Sequence, residues 1–572
     1  VTLNKMQATI TPTAPVMSRA EALAILTAPG EPYALETKTI RGRAQKVFAH
    51  APASLGEMFE ATASDLPFII YEQERISFAD TQRQAQKISR LLVHHFGIVK
   101  GDRVAISMRN YPEWVLVFQA VTSIGAIAVA MNAHWQPDEM AYGLADSGSK
   151  VLFADAERLE RLARAKFDPA LKVVSVRAGQ VAGAEDLADL LARFDGPALA
   201  AVTVDPEDNA IIYYTSGSTG FPKGVVSTHR NVISALMSWE LDLRAGALSS
   251  GIPMVQPVEQ PATLLGVPLF HVTGSHAVFL QSYRTQRRLV AMYKWDPDQA
   301  ASLIERERIT TFTGPAAMTG DLVRVAKETN RDLSSMVSVG GGGAPRAPEQ
   351  VRQIEASFEK ALPATGWGMT ETNAIGTGIG GLDYLGRPAS SGRCSAVLEL
   401  LIVNEAGEAL SAGEPGELLV RGTSVFPGYW NRDDLNKTLF EDGWFRTGDV
   451  AYLDEEGFLF IVDRIKDLII RGGENIGCGQ VEAALLTHPD IHEAAVYAVP
   501  DERLGEEVGA TLFSDKELDP EAIRHYLAGH LAKFEVPRYI LITHEPLPRT
   551  ASGKILKRDL RAEAVKYFAS LT

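Results

Sequence analysis

Ala210-Ile211-Ile212-Tyr213-Tyr214-Thr215-Ser216-Gly217-Ser218-Thr219-Gly220-Phe221-Pro222-Lys223-Gly224 passes from an apolar run into a loop of hydroxyls and glycines closed by a lysine. Five apolar residues bounded by turn signals read as a strand buried on both faces, the kind found in parallel sheets. In the loop, glycines let backbone N–H groups turn toward an anion. The hydroxyls of Thr215, Ser216, Ser218 and Thr219 donate further hydrogen bonds or ligate a metal, and Lys223 supplies positive charge. By composition this is a triphosphate cradle. It is not the G-x-x-x-x-G-K-S/T loop of kinases and P-loop NTPases, because no glycine directly precedes Lys223 and Gly224 follows it.

On either side of this stretch the chain alternates two periodicities. Residues 78–96, 111–123 and 137–146 read as helices, and 103–108, 126–131 and 150–154 as short apolar strands. The alternation resumes through strands at 210–214, 310–313 and 337–339. Such βαβ repetition means mostly parallel sheets flanked by helices. From 398 to 425 the texture changes to strands with turns at Gly407, Gly413, Gly416 and Gly422. From about 466 a compact α+β unit is expected, with a helix over 481–486 stopping before Pro489 and a strand over 493–499. A second helix there is capped by Asp519, opened by Pro520 and striped by Ile523, Leu527, Leu531 and Phe534. The fold class is therefore α/β: a large N-terminal domain (17–465) with a small β-rich subdomain at about 390–465, then a small α+β C-terminal domain (466–572). Gly376, Gly378 and Gly381 spell G-x-G-x-x-G, but the dinucleotide fingerprint needs a helix after it. Residues 382–388 are expected not to open one, so a dinucleotide site is rejected.

At 572 residues the chain is long enough for two to four structural units. A net charge of −15 disfavours nucleic acid and anionic membranes as partners, and an anionic substrate would need a local basic site. Two cysteines, Cys394 and Cys478, form no disulfide framework or metal cluster and suit a reducing cytoplasm. Residues 114–131 are the most apolar stretch. Gln119, Thr122, Ser123 and Gly125 interrupt it, so a buried helix followed by a strand is expected instead of a membrane span. Residues 1–16 carry little helix or strand signal and are set aside as a leader.

The segment 214–224 resembles the AMP-binding signature of the adenylate-forming superfamily, which includes acyl-CoA synthetases, adenylation domains of peptide synthetases and luciferases. Further motifs follow in the family's order. Gly341-Gly342-Gly343-Ala344-Pro345 resembles the adenine-contacting turn, and Gly366-Trp367-Gly368-Met369-Thr370-Glu371 the motif that stacks adenine and offers a carboxylate to magnesium. Trp444-Phe445-Arg446-Thr447-Gly448-Asp449 resembles the ribose-holding segment, and Asp463-Arg464-Ile465-Lys466-Asp467 the interdomain hinge. Arg471-Gly472-Gly473-Glu474-Asn475-Ile476 and Pro548-Arg549-Thr550-Ala551-Ser552-Gly553-Lys554 resemble the loop after the hinge and the segment bearing the catalytic lysine. Departures exist: Thr365 where relatives carry Gln or Asn, Trp367 for Tyr, Lys466 for Asp, and Asp463 for Gly.

The resemblance implies a division of labour. A carboxylate must approach a negatively charged α-phosphate, so both partners need neutralising while pyrophosphate leaves. Residues 216–220 and Lys223 would hold the β- and γ-phosphates, Thr219 and Glu371 would ligate Mg2+, and Lys554 would bridge carboxylate and α-phosphate. Gly343, Ala344, Pro345, Trp367, Gly368, Met369 and Thr370 would surround the base, with Asp449 and Arg464 at the ribose. His271 would gate the path between acid and thiol. Val272, Thr273, Gly341, Gly342, Met369 and Ala374 would line an apolar acid pocket. Lys466 would be the pivot of a mobile C-terminal domain that brings Gly472, Gly473 and Glu474 toward the thiol. The expected activity is an ATP-dependent carboxylate–CoA ligase acting on a hydrophobic acid, with ATP, Mg2+ and CoA. The alternative is a stand-alone enzyme loading a carrier protein or an amine. Peptide-synthetase domains commonly place an Asp for the substrate amine in the helix region corresponding roughly to 234–243, where Asp242 and Glu240 occur. A homodimer is an analogy only, and no Ser/His/Asp triad or zinc spacing occurs.

Overall fold

A computed structural model describes residues 17–215, 222–251, 258–343, 346–472, 474–550 and 553–569. The expected buried strand spans Asn209–Thr215 and lies in a seven-stranded sheet. Its parallel neighbours run through Ile127–Ala130, Arg103–Ser107, Val151–Asp155 and Lys172–Val176. Lys223–Thr228 closes the sheet as an antiparallel return. Val104, Ala105, Ile106 and Ile211 are fully buried, as parallel strands covered on both faces must be.

A second sheet begins with six parallel strands, in the order Leu362–Thr365, Ser338–Gly341, Thr311–Gly314, Ala262–Leu265, Arg288–Ala291 and Pro67–Tyr71. Beyond Leu362–Thr365 the same sheet turns antiparallel and becomes the β-rich subdomain. Its strands include Thr377–Gly380, Leu398–Val403, Gly416–Gly422, Trp444–Leu453 and Phe458–Arg464. One continuous apolar cluster joins the first two sheets, drawing on Val104, Ile211, Leu264 and Val339. The 22-residue helix His229–Ser250 starts at a Thr228 cap that bonds Asn231 N. The Asn231 amide donates in turn to the carbonyls of Thr423 and Val425, tying this helix to the β-rich subdomain.

The smaller C-terminal domain has its own sheet and apolar core. Glu493–Asp501 and Gly505–Phe513 pair antiparallel, and Tyr539–Thr543 joins in parallel. The apolar stretch at 114–131 is the helix Pro112–Ser123 followed by Ile127–Ala130. Among the described residues no helix is long and apolar enough to cross a membrane.

Two expectations need correction. The second C-terminal helix spans only Pro520–Leu527, because Ala528 caps it and Gly529 follows; Leu531 and Phe534 still pack on the core from the turn beyond. At the G-x-G-x-x-G pattern a short helix, Gly381–Gly386, does follow the strand Thr377–Gly380. The fingerprint is excluded for a different reason: that strand pairs antiparallel on both sides, and Gly378 lies inside it. Gly376 serves packing, since a Cβ there would stand 2.3 Å from the Trp367 ring.

Candidate active site

The paired strands Asn209–Thr215 and Lys223–Thr228 place Thr215 directly opposite Lys223, at the mouth of the loop between them. Ser216, Gly217, Ser218, Thr219 and Gly220 lie outside the described residues. Lys223 Nζ stands 5.5 Å over the ring of Tyr429. The hydroxyl at the far end of that ring donates to Glu371 Oε1 at 2.7 Å. One aromatic side chain thus links the cradle's lysine to the carboxylate, a link that no motif signals.

Glu371 is only 6% exposed and sits in the single turn Thr370–Thr372. Burial raises its pKa, opposed by the Tyr429 bond and the Arg464 charge. A carboxylate held in this way favours a cation beside it. The residues after it form a tight turn: Asn373 (φ +58°) and Ala374 (φ +64°) are both left-handed without being glycine, a costly arrangement that needs external support. Ala374 N donates to Met369 O at 2.9 Å and Met369 N to Thr372 Oγ1 at 3.0 Å. Gly368 fits beneath because a Cβ there would stand 2.5 Å from Ala374 O.

Asp449 and Arg464 face each other across two antiparallel strands, and their charged groups meet at 2.5 Å. Asp449, 3% exposed, also accepts from the Trp367 indole at 2.8 Å. Burial raises its pKa, opposed first by Arg464. The Trp367 ring is packed in the core of the β-rich subdomain with Gly376 against it. The two residues assigned to base and ribose are therefore coupled to each other directly.

Lys554 comes from the C-terminal domain, yet its loop rests on the N-terminal one: a Cβ on Gly553 would touch Pro315 Cγ at 2.9 Å. The residue stays exposed. Dehydration by the protein around it, and then the Arg464 charge, lower its pKa, while its own charge acts on Asp449. Lys466 is exposed in the turn just after Phe458–Arg464. Gly472 has φ +60° and bonds Leu504 within the C-terminal domain, and Glu474 is exposed. Gly473, like Ala344 and Pro345, lies outside the described residues.

His271 is half-buried, and its Nε2 is buried without a hydrogen-bond partner among the described residues. Burial, then the His134 charge, push its pKa down to about 4, so the ring is neutral. Val272 and Ala374 pack on one apolar cluster. Thr273, Gly341 and Gly342 are half-buried, and Gly343 has φ +82°. Gly274 makes the local backbone possible, since a Cβ there would stand 2.2 Å from Pro268 O.

Three further groups lacked any sequence signal. Arg346 is buried beside Gly341, with Nη2 reaching Thr319 Oγ1 at 3.2 Å. A buried histidine, His276, bonds Asn373. In the C-terminal domain a cleft of about 620 Å³ is lined by Arg471, Arg503, Arg524, Lys533 and Arg538, with Glu507. These five cations are scattered over 68 positions, so only folding assembles the local basic site that the chain's negative field demands.

Residues 57–430 match the family described as AMP-binding enzyme, and residues 480–554 match the AMP-binding enzyme C-terminal domain. The chain is similar to the long-chain-fatty-acid–CoA ligase FadD13 of Mycobacterium tuberculosis, 33% identical over 496 residues, which is 86% of this chain and 93% of that one. It also resembles the o-succinylbenzoate CoA synthetase of Bacillus subtilis in complex with its acyl-adenylate intermediate OSB-AMP. That likeness has a TM-score of 0.75 at 28% identity and covers 89% of this chain and 98% of the other. The same Bacillus enzyme with ATP and magnesium ion gives a TM-score of 0.74 at 28% identity, over 89% and 99% of the two chains. With two family models matching in order, over 57–430 and 480–554, the chain belongs to the AMP-binding enzyme family.

Proposed function

We propose that the chain is an AMP-forming acid–thiol ligase, which adenylates a hydrophobic carboxylic acid with ATP and passes the acyl group to CoA. The observation that carries this reading is the meeting of a C-terminal lysine with a buried N-terminal acidic face. The loop bearing Lys554 rests on Pro315, and Lys554, Asp449 and Arg464 share one electrostatic neighbourhood although Lys554 lies ninety or more positions along the chain from either partner. The relatives named above are ligases of a fatty acid and of o-succinylbenzoate with CoA, and the first accords with an apolar acid.

In this mechanism Lys223 and the loop 216–220 hold the β- and γ-phosphates, and Asp449 with Arg464 holds the ribose. Lys554 neutralises the substrate carboxylate and the α-phosphate as a carboxylate oxygen attacks phosphorus and pyrophosphate leaves. A preorganised donor of this sort is worth about 10²–10³ in rate. Glu371 and Thr219 would hold Mg2+, which when bound screens the phosphate charge; Glu371's burial and raised pKa fit that role. In the second step the CoA sulfur attacks the acyl carbonyl and AMP leaves. His271, neutral and without a hydrogen-bond partner at Nε2 among the described residues, would line the passage between the acid and the thiol.

We assign residues 17–465 and 466–572 to two units that rotate about Lys466 between the steps, presenting Gly472, Gly473 and Glu474 to the thiol. The basic C-terminal cleft suits the anionic end of CoA. Asp242 is taken by Arg19 at 2.5 Å and by Ser395 at 2.7 Å. Glu240 is taken by Arg284 at 2.6 Å and by Tyr33 at 3.0 Å. Neither is left for a substrate ammonium, which supports a simple acid over an amino acid. The two free cysteines suit the cytoplasm. The test is pyrophosphate release from ATP with a panel of fatty, aryl-alkanoic and amino acids, with and without CoA. Release with amino acids alone would refute the acid class, and acyl-AMP accumulation without thioester would refute CoA as acceptor.

A further inference from the structure

His276 is fully buried on the eight-residue π-helix Thr273–Leu280, whose first residue belongs to the proposed acid pocket. Its Nε2 stands 3.1 Å from Asn373 Oδ1 and its Nδ1 3.0 Å from Ser275 Oγ. Proton counting fixes the direction of the bond to Asn373. The Asn373 amide nitrogen donates to Ser424 O at 2.8 Å, so the Asn373 oxygen faces the imidazole. Nε2 must therefore carry the proton, leaving Nδ1 as the acceptor. The Ser275 hydroxyl, which accepts from Tyr213 OH at 2.6 Å, has two acceptors for its one proton, His276 Nδ1 at 3.0 Å and His271 O at 3.1 Å. The chain Tyr213–Ser275–His276–Asn373–Ser424 runs from the π-helix to the β-rich subdomain.

It grips one point in particular. Asn373 and Ala374 are consecutive non-glycine residues in left-handed conformation, and they follow directly on the turn Thr370–Thr372 that holds Glu371. Glu371 is held from the other side, through Phe426 N on its carbonyl at 2.8 Å and Tyr429 on its carboxylate. We infer that His276 is a positioning residue: through Asn373 it holds the strained turn that aims Glu371 at the metal-bound triphosphate, tying the wall of the acid pocket to the nucleotide face. This rests on the assignment of Glu371 proposed above.

The test compares equilibrium binding of Mg2+ with α,β-methylene-ATP against binding of AMP, by calorimetry on the full chain, in wild type, His276→Leu, His276→Gln, Asn373→Gly and the Leu/Gly double variant. Asn373→Gly tolerates the left-handed backbone while removing the amide, and it carries the test if His276→Leu does not fold. Each single break is expected to weaken Mg-triphosphate binding about 10-fold, as loss of a group that orients a metal ligand does. AMP binding should be unchanged. The double variant should be no weaker than either single one. Gln, able to donate to Asn373 and accept from Ser275, should restore most of the affinity. Wild-type triphosphate affinity in Asn373→Gly, equal losses for AMP and triphosphate, or additive losses would each overturn the relay. Failure of wild type to bind either nucleotide would instead overturn the reading of the site on which the relay depends.

Discussion

The two sides of the proposed site are built in opposite ways. On the N-terminal side Glu371 and Asp449 are buried, each is bonded by an aromatic side chain, and the backbone near Glu371 is strained. On the C-terminal side Lys554, Lys466 and Glu474 are all exposed, and Lys466 and Lys554 sit in turn or loop backbone. Groups that must await developing charge are preorganised in low dielectric, where they need no rearrangement at the moment of reaction. Groups that must arrive and leave cannot be buried, because each departure would break the packing. The contrast teaches which residues are scaffold-held and which are delivered.

The largest break in that contrast is Lys554→Ala. Acyl-AMP formation should fall about 10²–10³-fold, while thioester formation from supplied acyl-AMP is spared; equal losses in both half-reactions would contradict the delivered role. Next, Lys466→Pro should stiffen the turn and slow the thiol step about 10-fold or more, with pyrophosphate release nearly unchanged. Full CoA transfer by that variant would argue against rotation about this turn. On the buried side Tyr429→Phe removes the hydroxyl bonded to Glu371, a charge-assisted bond worth about 1.5–3 kcal/mol. It should raise the Mg2+ concentration needed for half-maximal pyrophosphate release, and an unchanged magnesium requirement would separate Tyr429 from the metal face.

Two pH effects sharpen the same comparison more gently. Lys554 acts as a cation and its pKa is lowered, so adenylation should decline as pH rises through a value below the ordinary 10.5. That limb should move upward in Lys554→Arg, whose charge persists. The histidines His229, His271 and His276 have pKa values pushed from 6.5 to about 4, chiefly by burial. Because the folded state keeps them neutral, their contribution to stability is complete above 6.5 and is lost as pH falls toward 4. Thermal melts across that window should show Tm decreasing, and a flat profile would contradict their burial.

Much of the architecture was legible. The buried strand before the loop, the helix–strand alternation and the turn to antiparallel texture after 398 all appear within a few residues of their expected bounds. They follow from local periodicity and apolar burial, which a linear sequence displays. The shortened helix at Pro520–Leu527 was not legible, because Leu531 and Phe534 keep the apolar spacing even from the turn beyond it. The short helix Gly381–Gly386 was not legible either, although the glycine pattern before it was rejected as a dinucleotide site; Gly376 there serves ring packing instead of a phosphate turn.

By itself the sequence determined the family's motif order, the α/β plan and the identity of the charged groups, since these rest on residue type and near-neighbour spacing. Only the tertiary structure decided that Tyr429 joins Lys223 to Glu371, that Trp367 bonds Asp449, and that His276 supports Asn373 across 97 positions. It likewise decided that five separate cations share one cleft. Such pairings depend on which elements pack together, and a buried polar group takes whatever partner the packing brings within bonding distance.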